Sequence, residues 1–303
     1  MNLVDFAEHY FSSHEFGIKE NSQRCYYLPA ARQFIEATNC QSVAAINKVY
    51  ANQFVDWLRS RPISVTTQHT RRRAFATLWR AAYDAGECPV FEPFRKIRVT
   101  KKSPRAWSRE DVQKLFATTV IDQSEWAWGM KAGTYWGSLF SAAWDSGLRL
   151  GDLLSIELDW LIRDGKSGTA VVVISASKTG KEHVVTFNRP TMQLIDRSMK
   201  EHPNRRLIWP LRNARREFYR DVKNRLAKAG LEGTFRYLRR SAVTFAESIS
   251  PGMGTRLAGH RDSRTTRDSY IDPLLLPNNR VILPALIQDA NTSGNQADAD
   301  ARG

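Results

Sequence analysis

Through residues 22–86 the apolar side chains recur every three or four positions, and this spacing limits the possible fold more than any other feature of the chain. Tyr27, Ala31, Phe34 and Ile35 form one set, Phe54, Val55 and Leu58 a second, and Ala74, Phe75, Leu78 and Ala82 a third. Residues three and four apart share one face of an α-helix, so each set can be buried together only if its segment is helical. The first third of the chain is therefore expected to be all helix. Pro62, Ile63 and Ser64 punctuate it, and Thr66 or Thr67 is a candidate cap for a helix running through Arg71, Arg72 and Arg73 to Tyr83. With Phe75, Trp79 and Tyr83 on the same helix, one face can pack inward while the arginines lie on phosphates. A solvated basic face explains the local pattern equally well.

Pro89, Pro93 and Pro104 break the pattern that follows, and residues 95–109 carry seven basic side chains and no acidic one. A basic linker is expected over 95–105, with Lys101, Lys102 and Arg105 as phosphate contacts, between a helical domain at 1–94 and a second domain at 106–288. Ser108 followed by Asp111 makes a capping-box-like helix start, with Val112, Leu115 and Phe116 as the apolar face. A helix is predicted from about Trp136 through Phe140 and Trp144 to Gly147, where glycine lets the chain turn. Residues 169–174 and 182–187 are β-rich runs flanking a turn at 177–180, which predicts a hairpin. Helical spacing resumes at Pro190 and over 211–229. The expected fold is mainly α with a small antiparallel β-sheet, an α+β second domain, and a disordered polar tail at 289–303.

Charge then narrows the partner. Against 31 Asp and Glu stand 45 Lys and Arg, a formal charge of +14, which favours a polyanion such as nucleic acid. Residues 201–240 alone hold twelve basic against four acidic side chains. No run of about 20 apolar residues exists to span a bilayer, and the first residues show no signal-peptide pattern. A cytoplasmic location at the nucleoid is expected, or the nucleus in a eukaryotic host. Cys25, Cys40 and Cys88 are odd in number and widely spaced, which argues against a disulfide framework or a zinc site. Gly165-Lys166-Ser167 ends like a P-loop, but Trp160 stands where the motif needs glycine. There is no GxSxG element and no metal-ligand cluster.

Four groups remain, in this order: Gly147-Leu148-Arg149-Leu150-Gly151-Asp152; Ser177-Lys178-Thr179-Gly180-Lys181; Arg236-Tyr237-Leu238-Arg239; and Ala258-Gly259-His260, with Tyr270 ten residues further on. Their order and separations resemble the tyrosine recombinase (phage-type integrase) family, from about residue 20 to 288. The resemblance implies that Tyr270 is the nucleophile, Arg149 and Arg239 the phosphate-clamping arginines, and Lys178 the acid that protonates the leaving 5′ oxygen. Lys181 competes with Lys178, although Glu182 is its more natural partner. Leu238 and Thr244 are in register with the family, as are Thr265 and Thr266, whereas Ala258 replaces a leucine and Asp152 stands where glutamate is usual. Read locally, Arg149 and Asp152 are equally a surface i,i+3 pair, and a lone histidine beside glycine, such as His260, is usually structural.

Arg236 occupies the family's histidine position. An arginine holds phosphate but stays protonated, so it cannot accept the tyrosine proton, and any base role falls to His260 or water. The resemblance implies a site-specific recombinase that cleaves and rejoins DNA through a 3′-phosphotyrosine intermediate, for integration or excision of mobile DNA. That link conserves the phosphodiester energy, so no cofactor or metal is expected. It also implies double-stranded DNA gripped by the helical domain, and a homo-tetramer on that DNA with an accessory DNA-bending protein as a further partner. Residues 274–287 are a candidate tail docking on a neighbouring subunit, or packing back on its own domain. A type IB topoisomerase shares this constellation, and a catalytically silent DNA-binding relative is left open by Arg236.

Overall fold

The computed structural model describes residues 1–10, 18–100, 102–175 and 182–276. Two compact units divide between Lys102 and Ser103. In the first, α1 (Leu3–Asp5) precedes one long helical stretch: α2 (Glu20–Ser22), a π-helical segment (Gln23–Tyr27) and α3 (Leu28–Thr38). Two more helices follow, α4 (Lys48–Ser60) and α5 (Val65–Asp84). Each begins where a side chain satisfies free backbone N–H groups: the Asn47 carbonyl oxygen accepts from Val49 and Tyr50, and Ser64 Oγ accepts from Thr67. The cap of α5 is thus Ser64, not Thr66 or Thr67; those two threonines already lie inside the helix.

The spaced apolar residues meet in an aromatic core. Phe34 stacks on Phe75 with ring centroids 4.2 Å apart, Phe54 meets Phe75 edge-on, and Trp79 donates to the Val90 carbonyl at 2.7 Å. Phe94 and Ile97 join the same core. The backbone around them is tied down as well, since the Arg95 amide donates to Asn52 and its guanidinium meets Asp56 at 2.6 Å. The basic stretch expected to begin a linker therefore starts inside the first unit, because Phe94 just before it and Ile97 within it are buried in that core.

The second unit opens with α6 (Arg109–Val120), whose capping box is formed: Asp111 N donates to Ser108 Oγ at 3.1 Å, and Ser108 N to Asp111 Oδ2 at 3.2 Å. A short hairpin, β1 (Glu125–Ala127) and β2 (Met130–Lys131), leads into α7 (Ala132–Ser146). This helix starts earlier than its apolar periodicity announced, and it is the centre of the unit. Tyr135, Trp136, Leu139 and Phe140 are all buried, and a Cβ at Gly133 would stand 2.6 Å from the Val120 carbonyl oxygen, so α6 and α7 approach closely there. After α8 (Leu150–Leu153) comes an antiparallel sheet in the order β3 (Ile162–Asp164), β4 (Thr169–Ser175), β5 (Glu182–Phe187). The β4–β5 hairpin was legible in the sequence and pairs Ile174 with His183. All three β3 residues are exposed, so that strand shows no apolar alternation to read.

Helices α9 (Arg189–Glu201), α10 (Arg215–Lys228), α11 (Phe235–Ile249), α12 (Met253–Leu257) and α13 (Ser263–Ser269) complete the unit. Pro190 stands in the first turn of α9, as expected. Among the described residues no helix is long and apolar enough to cross a membrane. Replacing Phe75 by alanine is expected to cost about 3–5 kcal/mol, because it opens a cavity in the aromatic core. Denaturant titration of the full chain, followed by circular dichroism, should show the first unit unfolding earlier.

Candidate active site

Helix α7 ends at Gly147, which adopts φ 57°, a left-handed conformation that glycine reaches without penalty. A side chain there would also meet Leu257, 3.0 Å from where its Cβ would sit. The turn leaves the Gly147 carbonyl facing α11 and delivers Arg149 to the start of α8. Arg239, on α11 and only 3% exposed, fills the space between. Its guanidinium donates to the Gly147 carbonyl, to the Ala258 carbonyl at 3.1 Å and to His260 Nε2 at 3.2 Å. Burial pushes its pKa down to about 10, with the neighbouring Arg149 charge acting the same way, so it remains a cation at neutral pH.

That contact settles the state of His260. A guanidinium can only donate, so Nε2 accepts and the ring is neutral, with its proton on Nδ1 for Thr266 Oγ1 at 2.8 Å. The His260 ring lies against Tyr270 at 4.7 Å between centroids. Arg239 stands over the same phenol at 4.8 Å and Arg236 at 5.6 Å. Tyr270 follows α13 and is buried. Its amide donates to Thr266, and its carbonyl accepts from Thr244 Oγ1 at 3.2 Å. Thr244 also accepts from the Asp272 amide, and the Asp272 carboxylate holds the Ala106 amide at 3.0 Å. Burial raises the phenol's pKa, but the charges of Arg239, Arg149 and Arg236 outweigh it, leaving Tyr270 below the ordinary phenol value.

Five of the six expected site residues have described positions. Arg149, Arg239, His260 and Tyr270 converge, and Arg236 projects from the preceding turn of α11 with its charge toward the phenol. Lys178 lies outside the described residues, as do Lys181 and Lys101. The Arg149–Asp152 pair is not a surface contact: its N–O distance is 3.8 Å, but the Asp152 side chain is 3% exposed, so the carboxylate is an internal anchor. His183 was not singled out in the sequence. Its Nε2 is 3.2 Å from the Leu257 carbonyl, and burial, with Arg239 and Arg149 nearby, lowers its pKa against the opposing pull of that carbonyl and Asp152. A histidine inside a β-rich run carries no local signal of this contact.

The three arginines of α5 separate. Arg71 donates to the carbonyls of Cys25 and Tyr26, while Arg72 donates to those of Phe94 and Arg95 and lies 3.9 Å over the Phe94 ring. Arg73 is exposed and lines a pocket with Tyr26, Tyr27, Thr70 and Thr77. Lys102 and Arg105 are exposed, and α10 presents Arg215, Arg216, Tyr219, Arg220 and Lys223 to solvent. Among the described residues no His, Cys, Asp and Glu group is arranged to hold a metal ion. The cysteines are free thiols.

Residues 108–274 match the model of the phage integrase family, which is more than half of the sequence, and the chain belongs to that family, the tyrosine recombinases. Solved structures share the fold. One is a lambda integrase dimer bound to a COC′ core site, with a TM-score of 0.66 and 17% identity over 89% of this chain and 76% of that one. XerH site-specific recombinase on palindromic difH substrate, in a post-cleavage complex, gives 0.64 and 16% over 80% and 74%. The Tn1549 transposon integrase with circular intermediate DNA gives 0.63 and 11% over 89% and 95%. A comparison with curated proteins finds no match. If the surrounding guanidiniums set the phenol's acidity, Tyr270 should ionise below the pKa of about 10 of an ordinary phenol. A spectrophotometric titration of wild type minus Tyr270→Phe should show one tyrosine ionising early, moved upward by Arg149→Gln.

Proposed function

We propose that this chain is a site-specific DNA recombinase whose Tyr270 breaks and rejoins strands of double-stranded DNA. The observation that carries this reading is the phenol set among Arg239, Arg236 and His260, with Arg149 near enough to act on its acidity. Tyr270 Oη would attack the scissile phosphorus, forming a 3′-phosphotyrosine bond as the bond to the 5′ oxygen breaks. Negative charge grows on the non-bridging oxygens in that step, where fixed guanidiniums stabilise it best. Arg149 and Arg239 take this role. Arg239 Nε is buried with no partner among the described residues, so a donor is left for an incoming oxygen. By resemblance, Lys178 protonates the departing 5′ oxygen, and a 5′ hydroxyl from a partner strand later displaces the tyrosine.

His260 Nε2 accepts from Arg239 and Arg236 cannot accept a proton, so neither is free in this arrangement to take the phenol's proton. The phenol is activated by surrounding positive charge, and its proton passes to water. Along the DNA, Arg73, Lys101, Lys102, Arg105 and the exposed face of α10 supply phosphate contacts. Arg71 and Arg72 hold the fold of the first unit instead. Strand exchange would use a homo-tetramer joined through residues 274–287, with an accessory DNA-bending protein as a further partner and the nucleoid as the location. Leu274 is 61% exposed, while the tail from residue 277 lies outside the described residues. No cofactor is required by this chemistry.

Covalent trapping tests the proposal. Nicked duplexes drawn from DNA flanking the coding region should yield a protein–DNA adduct with wild type and none with Tyr270→Phe. Arg149→Ala should lower its rate by about 100-fold or more, with a much smaller change in gel-shift affinity. Specific binding with no wild-type adduct, but an adduct in Arg236→His, would instead identify a silenced DNA-binding relative. Relaxation of a plasmid lacking the site would indicate a topoisomerase.

A further inference from the structure

The turn that carries His260 is gripped by two side chains. Arg239 holds the Ala258 carbonyl. The ring of His183, projecting from β5, meets the Leu257 carbonyl through Nε2 at 3.2 Å. A carbonyl only accepts, so Nε2 carries the proton, and Nδ1 turns toward Gly259. The fit there is close: a Cβ at residue 259 would stand 2.9 Å from Nδ1 and 3.1 Å from Cε1. Gly259 also has φ 62°, so a glycine serves both the left-handed turn and the approach of the imidazole.

The two grips are not equivalent during a reaction. Arg239 divides its donors between the turn and, in a reaction, a phosphate: its Nε has no partner among the described residues, whereas a terminal nitrogen that swings to phosphate gives up the Ala258 carbonyl. His183 holds a different carbonyl, that of Leu257, and its hydrogen bond can persist while Arg239 is engaged. We propose that His183 is a positioning residue, holding the Leu257–Ala258–Gly259 backbone so that His260 stays against Tyr270 when Arg239 binds phosphate. This rests on the reading of Arg239, His260 and Tyr270 as the reaction centre. It also gives this chain an imidazole that acts through the turn, whereas the position occupied by Arg236 offers none.

Two variants separate the hydrogen bond from simple packing. His183→Ala removes both, while His183→Gln places an amide N–H within reach of the same carbonyl. The first readout is hydrogen exchange in the DNA-free full chain, at amides bonded within the turn: Gly259 to the Arg256 carbonyl at 3.0 Å and His260 to that of Thr255 at 3.2 Å. His183→Ala should speed exchange at these amides by about tenfold or more, leaving α7 amides unchanged as a control on folding. His183→Gln should retain protection. The second readout is the rate of adduct formation on nicked duplexes at saturating DNA, which should fall by a similar factor in His183→Ala and recover in His183→Gln, with gel-shift affinity constant. Unchanged exchange in His183→Ala, or equal loss in both variants, would overturn the proposal. Absence of a wild-type adduct would overturn the catalytic reading, and the exchange data would still decide the role of His183.

Discussion

The buried guanidinium of Arg239 is the interaction on which the second unit depends. Removing a cation from water is costly unless its hydrogen bonds are replaced. Here the replacement comes from three places distant in sequence: the carbonyl ending α7, the carbonyl of the turn after α12, and the imidazole of His260. Each of those groups is in turn constrained by satisfying the charge. The glycine turn at 147 must be left-handed to aim its carbonyl, and the Ala258 carbonyl can face inward only if Gly259 gives the chain room. The same guanidinium that knits three segments together also lies over the Tyr270 ring.

Around this centre the second unit arranges a rigid frame. Helix α7 is buried on nearly every side, so its C-terminal turn is fixed by packing rather than by local propensity. Strand β5 supplies His183 to the Leu257 carbonyl, and the buried Asp152 carboxylate lies 3.8 Å from Arg149. Thr244 and Asp272 pin the backbone on either side of the Tyr270–Ile271 peptide, which places the phenol without contacting it. Preorganisation of this kind matters most where charge develops in the transition state, because groups already in position need not be rearranged then. The first unit follows a different logic: its aromatic core uses Arg72 as a structural cation, leaving Arg73 at the surface.

Much of this was legible because it is local. The three-and-four spacing of Phe34, Phe54 and Phe75 needs only a helix to explain it, and Ser108 with Asp111 announces a helix start within four residues. The β4–β5 hairpin declared itself through β-branched runs, and Gly147 through its place after an apolar helix. The ordered cationic motifs named Arg149, Arg236, Arg239, His260 and Tyr270, which the fold brings together. Strand β3 stayed hidden because its residues are all exposed, and the cap of α5 fell on Ser64 rather than a nearby threonine because several hydroxyls competed for one position.

The sequence by itself determined the class of fold, the family and most of the side chains that gather around Tyr270, since helical period, caps, turns and motif order are properties of neighbouring positions. Tertiary structure decided how those residues are employed. Arg71, Arg72 and Arg73 are indistinguishable as letters, yet their partners divide them into two that hold backbone and one that faces solvent. Asp152 looked like half of a surface pair and is buried. His183 bonds a carbonyl 74 residues away. No local pattern encodes such a contact, because it exists only once separate segments have packed and the free energy of burying each polar group has selected its partner.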